Sequence, residues 1–339
     1  STGTKLDHEL TKYVPSTGEI IAWIEVPTLD YNDNTDIYIY YGNAGAADQW
    51  NIEGTWSNSY AAVHHFNETS GTHFDSTSNN NDSTSGSVTN QGTATSKIDG
   101  ADEFNGSSNN VVIADANSLD LVSFTLSSWI TVDTFPGGGQ WNNIIDKSSS
   151  YFLELKDTDN FDCGIFDGSY NEYYDPGTSL NTGTYYLLTC SFDATTDSFR
   201  MYVNGTEVVN DTETSQANTE TSELSIGDLS ESAGQYLDGK IDEIFMANVG
   251  RTGDWIATEY NNQNNPSVGG FFSSIGSQET NSSGSATWAA AEDTPVTDVV
   301  KETNIRLRFM ISNEGGSTSD PTTYQLEVAE TGTCSGGSY

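Results

Sequence analysis

The chain has 339 residues, of which 34% are hydrophobic and 11% aromatic, and a chain of this length suits two or three domains better than one core. Its 49 acidic residues face only 11 Lys and Arg, giving a formal net charge of −38, which excludes a nucleic-acid partner. No stretch approaches the roughly 18 apolar residues of a membrane span, and residues 1–12 lack a signal-peptide pattern. We therefore expect no membrane insertion within this segment.

Short runs of alternating apolar and polar residues predict β-strands along the chain. Clear examples are residues 19–26, 36–41, 185–190, 199–203 and 304–310. Turn-forming clusters rich in Gly, Asn and Pro separate these runs, which is typical of antiparallel sheets in a sandwich or barrel. The sequence therefore predicts an all-β fold.

Two local signals predict specific structures. Asn204-Gly205 lies between two strand-like runs and predicts a type I′ hairpin, because that turn needs positive φ at both central residues. Residues 253–260 predict a helix of about two turns, with Thr252 as its cap.

Polar, low-complexity stretches at 261–270 and 278–285 indicate boundaries. We place the domains at 1–57, 58–277 and 278–339. The first and last hold too few strands to bury both faces of a sheet, so we expect both to be incomplete β-domains. Their open edges would gain strands from adjoining sequence or from neighbouring copies of the chain.

The chain has three cysteines, which excludes a scaffold held mainly by disulfides. Cys163 and Cys190 both lie in strand-like runs. A bridge between them stays open, because the two strand positions must also face each other at the right distance. Cys334 lies in a Gly- and Ser-rich tail and has no obvious mate.

The central segment carries short motifs in a characteristic order, at residues 62–71, 104–107, 124–130, 202–205 and 237–244. In this order they resemble laminin-G-like jelly-roll domains of the concanavalin A-like lectin and glucanase group. The resemblance covers about two thirds of the chain. It implies an antiparallel jelly-roll β-sandwich that binds sugars, glycans or proteins, often with calcium, and it carries over no specific ligand.

The first segment contains two further motifs, at 22–27 and 39–44. They resemble the C-terminal half of a small β-domain family of unknown function that commonly precedes laminin-G-like domains. The expected architecture is therefore a concanavalin A-like sandwich flanked by two smaller β-domains.

Calcium is the one cofactor that the residues suggest. Asp75, Asn81 and Asp82 offer hard oxygen ligands at close spacing, which suits a cation that takes roughly six to eight oxygens. Asp242 and Glu243 on a late strand are a second source, because the first and last strands of jelly rolls commonly run side by side. A solvated turn built on Asp and Asn side chains explains residues 75–82 equally well, and a saline medium would also make the acidic charge tolerable.

A group of aromatic residues forms the predicted ligand-binding set. Rings exposed on loops stack on sugar faces or anchor protein contacts. The set comprises Trp141, Tyr170, Tyr173 and Tyr174. Ordinary cross-strand packing is the alternative interpretation.

Catalysis is not expected. Retaining glycosidases need two carboxylates roughly 5–5.5 Å apart, and the acidic runs at 154–157, 172–175 and 238–243 place no three acids on one face of a strand. No Gly-x-Ser-x-Gly nucleophile elbow occurs. His64 and His65 occupy successive strand positions, so we expect one packed and one solvated histidine rather than a pair that shares a metal.

These patterns predict a non-catalytic, extracellular binding or adhesion module of a larger surface protein, which presents its jelly roll to a glycan or protein ligand. The first alternative is a structural subunit of a surface filament, sheath or virion, assembled through strand edges with neighbouring copies. A glycoside hydrolase is a minor alternative. The expected location is outside the cell, at a cell surface or at a virion surface.

Overall fold

The computed structural model describes residues 4–27, 35–41, 47–156, 160–175, 177–229, 235–267, 271–272, 278–280, 287–290 and 304–310. For Tyr41 and for the last three ranges it describes only the backbone. Two predictions therefore lie wholly or partly outside the described residues: the solitary Cys334, and residues 281–285 of the polar stretch at 278–285.

The elements before residue 120 are β1 (His8–Val14), β2 (Glu19–Glu25), β3 (Tyr38–Tyr41), α1 (Ile52–Thr55), β4 (Tyr60–His64), β5 (Ser83–Ser87), β6 (Asp102–Asn105) and β7 (Asn110–Ile113). The middle of the chain forms β8 (Phe124–Val132), β9 (Trp141–Lys147), β10 (Tyr151–Lys156), β11 (Phe161–Phe166), β12 (Tyr170–Tyr174), β13 (Tyr186–Asp193), β14 (Ser198–Val203) and β15 (Thr206–Thr212). The remainder forms β16 (Leu224–Ile226), β17 (Asp238–Ala247), α2 (Gly253–Asn264), β18 (Gln278–Thr280), β19 (Thr287–Ala290) and β20 (Asn304–Met310). The prediction of an all-β fold is confirmed.

The chain divides into two compact units, one of residues 59–260 and one of residues 1–58 with 261–339. In the second of these, β20 pairs with β2 and β19 pairs with β3. Backbone segments from the two ends of the chain therefore share sheets, although the sequence analysis assigned them to separate domains. The division into three domains stays a prediction.

The unit of residues 59–260 is a sandwich of two antiparallel sheets. The first sheet has the strand order β12-β11-β10-β9-β16-β7-β5, and the second has the order β15-β14-β13-β8-β17-β4, with β6 also paired to β17. Alternate residues of both sheets meet in one apolar core, represented by Leu153 and Ile165 of the first sheet and Leu126 and Leu188 of the second. Full burial of each such side chain contributes about 1.5–3 kcal/mol.

A disulfide bond crosses this core. Cys163 of β11 is bonded to Cys190 of β13, with 6.4 Å between their Cα atoms. The bridge joins the first sheet to the second and settles the pairing that the sequence left open.

The two local predictions are confirmed. Asn204 and Gly205 have φ of 51° and 73° and join β14 to β15 as a hairpin. Helix α2 begins where expected, and Thr252 Oγ1 accepts a hydrogen bond from the Trp255 amide at 3.3 Å. The helix continues to Asn264, beyond the predicted end at residue 260.

Candidate ligand-binding face and cation site

Four neighbouring strands of the first sheet bring a row of side chains to one face. The register places Glu154 of β10 opposite Asp162 of β11 on one side and opposite Asn143 of β9 on the other. Tyr174 of β12 continues the row beyond Asp162. Since successive residues of a strand point to opposite faces, these side chains point away from the core that holds Cys163.

We call this surface the outer face. By strand alternation and register it is formed by Trp141, Asn143, Asp146, Phe152, Glu154, Lys156, Asp162, Phe166, Tyr170, Glu172 and Tyr174.

Three of the four predicted ligand-binding residues meet on the outer face. Tyr170 is 59% exposed and Tyr174 is 56% exposed, and the two lie about 13 Å apart along β12, given a rise of roughly 3.3 Å per residue. Trp141 is half-buried on β9, opposite Lys156. The rings lie on strands, so the expectation that loops present them is wrong. The reason is that residues 170–174 pair along their full length with β11.

Tyr173 is separated from the other three rings. It faces the core, where its ring stacks on Phe199 at a centroid distance of 4.1 Å. Its hydroxyl donates to the Thr212 carbonyl at 3.2 Å or to Glu213 Oε2 at 3.0 Å. For this residue the alternative of ordinary cross-strand packing applies.

Neighbouring rings hold Tyr170 in place. Its ring meets Phe166 edge to face at 4.9 Å and Phe152 at 6.1 Å. Phe152 reaches across β11 because Gly164 has no side chain, and a Cβ at that position would lie 2.6 Å from Phe152 Cζ. A ring ordered in advance loses little conformational entropy when a ligand binds.

Acidic side chains fill the space between the rings. Glu154 is 7% exposed and Asp162 is fully buried, while Lys156 Nζ lies 2.6 Å from Asp162 Oδ2. Burial, together with the charges of Asp162, Glu172 and Asp146, raises the pKa of Glu154 to about 9. Burial also raises the pKa of Asp162 to about 6, although its hydrogen bond with Lys156 opposes the rise. At neutral pH Glu154 therefore holds a proton while Asp162 is ionised.

The predicted calcium loop at 75–82 is held together by its own hydrogen bonds. Asp75 Oδ1 accepts from the amides of Val63 and Thr77, each at 2.9 Å. Asp75 Oδ2 accepts from Thr77 Oγ1 at 2.8 Å and from the Asn81 amide at 2.9 Å. Asp82 Oδ1 in turn accepts from the Asp75 amide at 2.8 Å. These contacts are those of an Asx-rich turn, which was the alternative interpretation, but Asp75 and Asn81 are buried rather than solvated.

Asp242 and Glu243 lie in another cluster, together with Asp99. One carboxylate oxygen from each of the three lies within 4.8 Å of the other two. Two oxygens on opposite sides of a calcium ion are separated by about the same distance, since each binds at roughly 2.3–2.6 Å. Asp99 Oδ1 is buried and has no hydrogen-bond partner among the described residues. The residues present thus fit a calcium ion.

The charges of this cluster oppose one another. Asp242 and Glu243 are fully buried, and they occupy the irregular step of β17 between Ile241 and Ile244. Burial, together with the charges of Glu243 and Asp99, raises the pKa of Asp242 well above its ordinary value. A bound cation or a shared proton would relieve the repulsion.

Asp99 is a third member of the cluster that was not among the predicted metal ligands. It lies in a connection more than a hundred residues before β17, and no periodic pattern predicts that contact. Backbone amides hold the connection that carries Asp99 against β17. Asp242 Oδ2 accepts a hydrogen bond from the Lys97 amide at 2.5 Å and from the Ile98 amide at 2.6 Å.

The histidine expectation needs a correction. His64 and His65 are both buried, so neither is solvated. His65 Nδ1 lies 2.6 Å from Glu243 Oε2, and that contact keeps its ring inside. Burial, with a smaller contribution from His73 and His65, lowers the pKa of His64 to about 3.

Family comparisons agree with this architecture. Residues 105–257 match the model of the concanavalin A-like lectin/glucanases superfamily. The central sandwich has a concanavalin A-like fold. Residues 1–82 match a domain of unknown function, DUF2341, so both resemblances inferred from motifs are confirmed. A comparison with curated protein sequences finds no match.

Several solved structures are similar to the chain. The binding domain of botulinum neurotoxin DC in complex with SialylT is 9% identical to this chain, with a TM-score of 0.48. The match covers 65% of this chain and 54% of the neurotoxin chain. The same toxin's binding domain with rat synaptotagmin II is 10% identical, with 66% and 54% covered and a TM-score of 0.49. The binding domain of Paraclostridial Mosquitocidal Protein 1 is 11% identical, with 80% and 76% covered and a TM-score of 0.49. The chain thus spans about half the length of the neurotoxin domains.

Proposed function

We propose that this chain is a non-catalytic binding module that takes a glycan on the outer face of its concanavalin A-like domain. The observation that carries the proposal is the pair of exposed rings, Tyr170 and Tyr174, on one face of one strand. Aromatic rings exposed at fixed spacing suit stacking on the apolar faces of sugars. Polar side chains between them supply hydrogen bonds for orientation.

The carboxylates of this face support binding rather than hydrolysis. A protonated acid beside an ionised one is the arrangement that retaining glycosidases use. Here, however, Glu154 is 7% exposed and Asp162 is fully buried. The Asp162 carboxylate is already held by Lys156 at 2.6 Å, so it is poorly placed to attack a sugar.

The covalent chemistry supports an extracellular or surface location. The Cys163–Cys190 bond links the two sheets, and structural disulfides form and persist mainly in oxidising compartments. Among the described residues, no helix is long and apolar enough to cross a membrane. We assign the module to a larger protein of a cell or virion surface.

Calcium belongs to the proposal as a structural ion. Asp99, Asp242 and Glu243 would hold it, and it would neutralise carboxylates that burial forces together. The site joins β17 to the connection before β6. The ion would therefore stabilise the domain without touching the outer face ligand.

A glycan array tests the proposal. The full chain should bind one class of glycan in buffered saline with calcium, and the double variant Tyr170→Ala/Tyr174→Ala should lose that binding. Phe74→Ala is the matched control, because Phe74 is 57% exposed and is not part of the outer face. Regular self-assembly without glycan binding would favour the filament alternative, and release of reducing sugar would favour the hydrolase.

A further inference from the structure

The outer face combines aromatic rings with an excess of carboxylates. Asp146, Glu154, Asp162 and Glu172 lie on it, and Lys156 is its one amine among the described residues. The whole chain carries a formal charge of −38. An anionic glycan, sialylated or sulfated, would therefore meet repulsion at long range and at contact.

Lys156 shows which chemical group this surface accommodates. Its Nζ lies 2.6 Å from Asp162 Oδ2 and 3.5 Å from Glu172 Oε2. The same nitrogen lies 5.3 Å from the centroid of the Tyr174 ring, within the range of a cation–π contact. Carboxylates and a ring thus already surround one ammonium group.

Unmet hydrogen-bonding capacity on the same face calls for further donors. Asp162 and Asn143 are both fully buried, and within the described part of the chain Asp162 Oδ1 and Asn143 Oδ1 accept no hydrogen bond. Each is an acceptor, and an ammonium group offers three donors. The buried indole N–H of Trp141 likewise has no partner among the described residues.

We propose that the ligand of the outer face is a glycan with free, protonated amines, such as a polymer of deacetylated hexosamine, in preference to neutral, N-acetylated or anionic glycans. This inference rests on the proposed function. Rings take the sugar faces, while the exposed carboxylate of Glu172 takes an ammonium group. An ammonium group near Glu154 would also favour its ionised form, so binding should release protons.

The test compares three hexasaccharides, of glucosamine, N-acetylglucosamine and glucose, binding to the full chain by titration calorimetry. We expect the glucosamine form to bind at least tenfold tighter than the other two. Glu172→Gln should weaken that binding at least fivefold and leave the binding of the glucose form unchanged. Glu207→Gln, which removes an exposed charge from β15 of the second sheet, is the matched control for general attraction to an acidic protein.

Each outcome has a distinct meaning. Equal affinity for all three sugars that is lost in Tyr170→Ala/Tyr174→Ala would overturn the amine preference and leave the proposed function standing. Glucosamine binding that falls equally in Glu172→Gln and Glu207→Gln would show attraction to net charge alone and would also overturn the inference. Hexalysine binding as tight as the glucosamine form would replace the glycan with a basic peptide. No binding of any sugar, by wild type or variants, would overturn both proposals.

Discussion

Glu154 of β10 and Asp162 of β11 lie directly opposite each other in the antiparallel ladder. Both carboxyl groups point to the outer face, and both are buried. Two like charges directly opposite each other destabilise a sheet, so the pair is accommodated by a proton on Glu154 and by the Lys156 ammonium beside Asp162. This pair couples the stability of the domain to pH.

Replacing Glu154 with glutamine should remove one pH dependence of stability. The pKa of Glu154 is raised from 4.5 to about 9, so between these values the folded chain holds a proton that the unfolded chain releases. Its contribution to stability is complete below pH 4.5 and is lost as the pH rises towards 9. Each pH unit of this window is worth about 1.4 kcal/mol, so Glu154→Gln, which mimics the protonated acid, should be more stable than wild type by up to about 6 kcal/mol near its upper end.

Urea unfolding at several pH values measures this difference. The variant and the wild type should have similar free energies of unfolding in acid and diverge as the pH rises. Parallel curves for Glu154→Gln and wild type would show that Glu154 ionises normally in the folded chain.

Removing the disulfide should destabilise the domain without changing its fold. The bond closes a segment with a sequence separation of 27 residues, for which the loop-entropy estimate is about 3.5 kcal/mol. The double variant Cys163→Ala/Cys190→Ala should lose roughly that much stability and keep its far-ultraviolet circular dichroism. If the oxidised wild type and the variant unfold at the same urea concentration, the bond does not constrain the unfolded chain.

Calcium should stabilise the wild type through the Asp99 cluster. A site saturated a hundredfold above its dissociation constant contributes about 2.7 kcal/mol, which a thermal melt detects easily. Asp99→Asn should abolish the response to calcium. Asp75→Asn should lower the melting temperature in calcium and in chelator alike, since Asp75 binds its own loop.

The opposite pattern would place calcium elsewhere. If Asp75→Asn abolished the calcium response while Asp99→Asn kept it, the loop at 75–82 would be the site. A melting temperature that rises with sodium chloride and ignores calcium would indicate screening of the acidic surface instead.

Alanine substitutions at two glycines test the contact between the hairpin at 204–205 and helix α2. Gly183 and Gly205 have nearly equal φ, 72° and 73°, so alanine costs about 1–2 kcal/mol at either from backbone conformation alone. A Cβ at Gly183 meets nothing within 4 Å, whereas at Gly205 it lies 3.0 Å from Tyr260 Cβ and 3.1 Å from Ala257 Cα. Gly205→Ala should therefore cost at least about 1 kcal/mol more than Gly183→Ala. Equal losses in chemical unfolding would contradict this contact.

Local signals in the sequence predicted much of the fold. Asn204-Gly205 requires one particular turn, and Thr252 marks the start of α2 because such signals involve residues close in sequence. Strand alternation also predicts which of the aromatic rings share a face of the sheet. Tyr173 and Tyr174 are neighbours on one strand, so they had to face opposite sides, and only one of them could be on the ligand-binding face.

The sites could not be predicted in the same way. The row from Tyr174 through Asp162 and Glu154 to Asn143 depends on the register of four strands, which strand patterns alone do not fix. Each of the four strands contributes one acid to this face, so the pattern of a single strand does not reveal the cluster. Asp99 reaches Asp242 only through the packing of a long connection.

The most direct test of the proposed glycan-binding face is titration of the full chain with the best glycan from the array. The account predicts saturable binding by wild type and by Phe74→Ala, at least a tenfold loss in Tyr170→Ala and in Tyr174→Ala, and no measurable binding by the double variant, with all four proteins equally folded by circular dichroism. Binding that survives in the double variant with wild-type affinity would contradict the assignment of the ligand to the outer face.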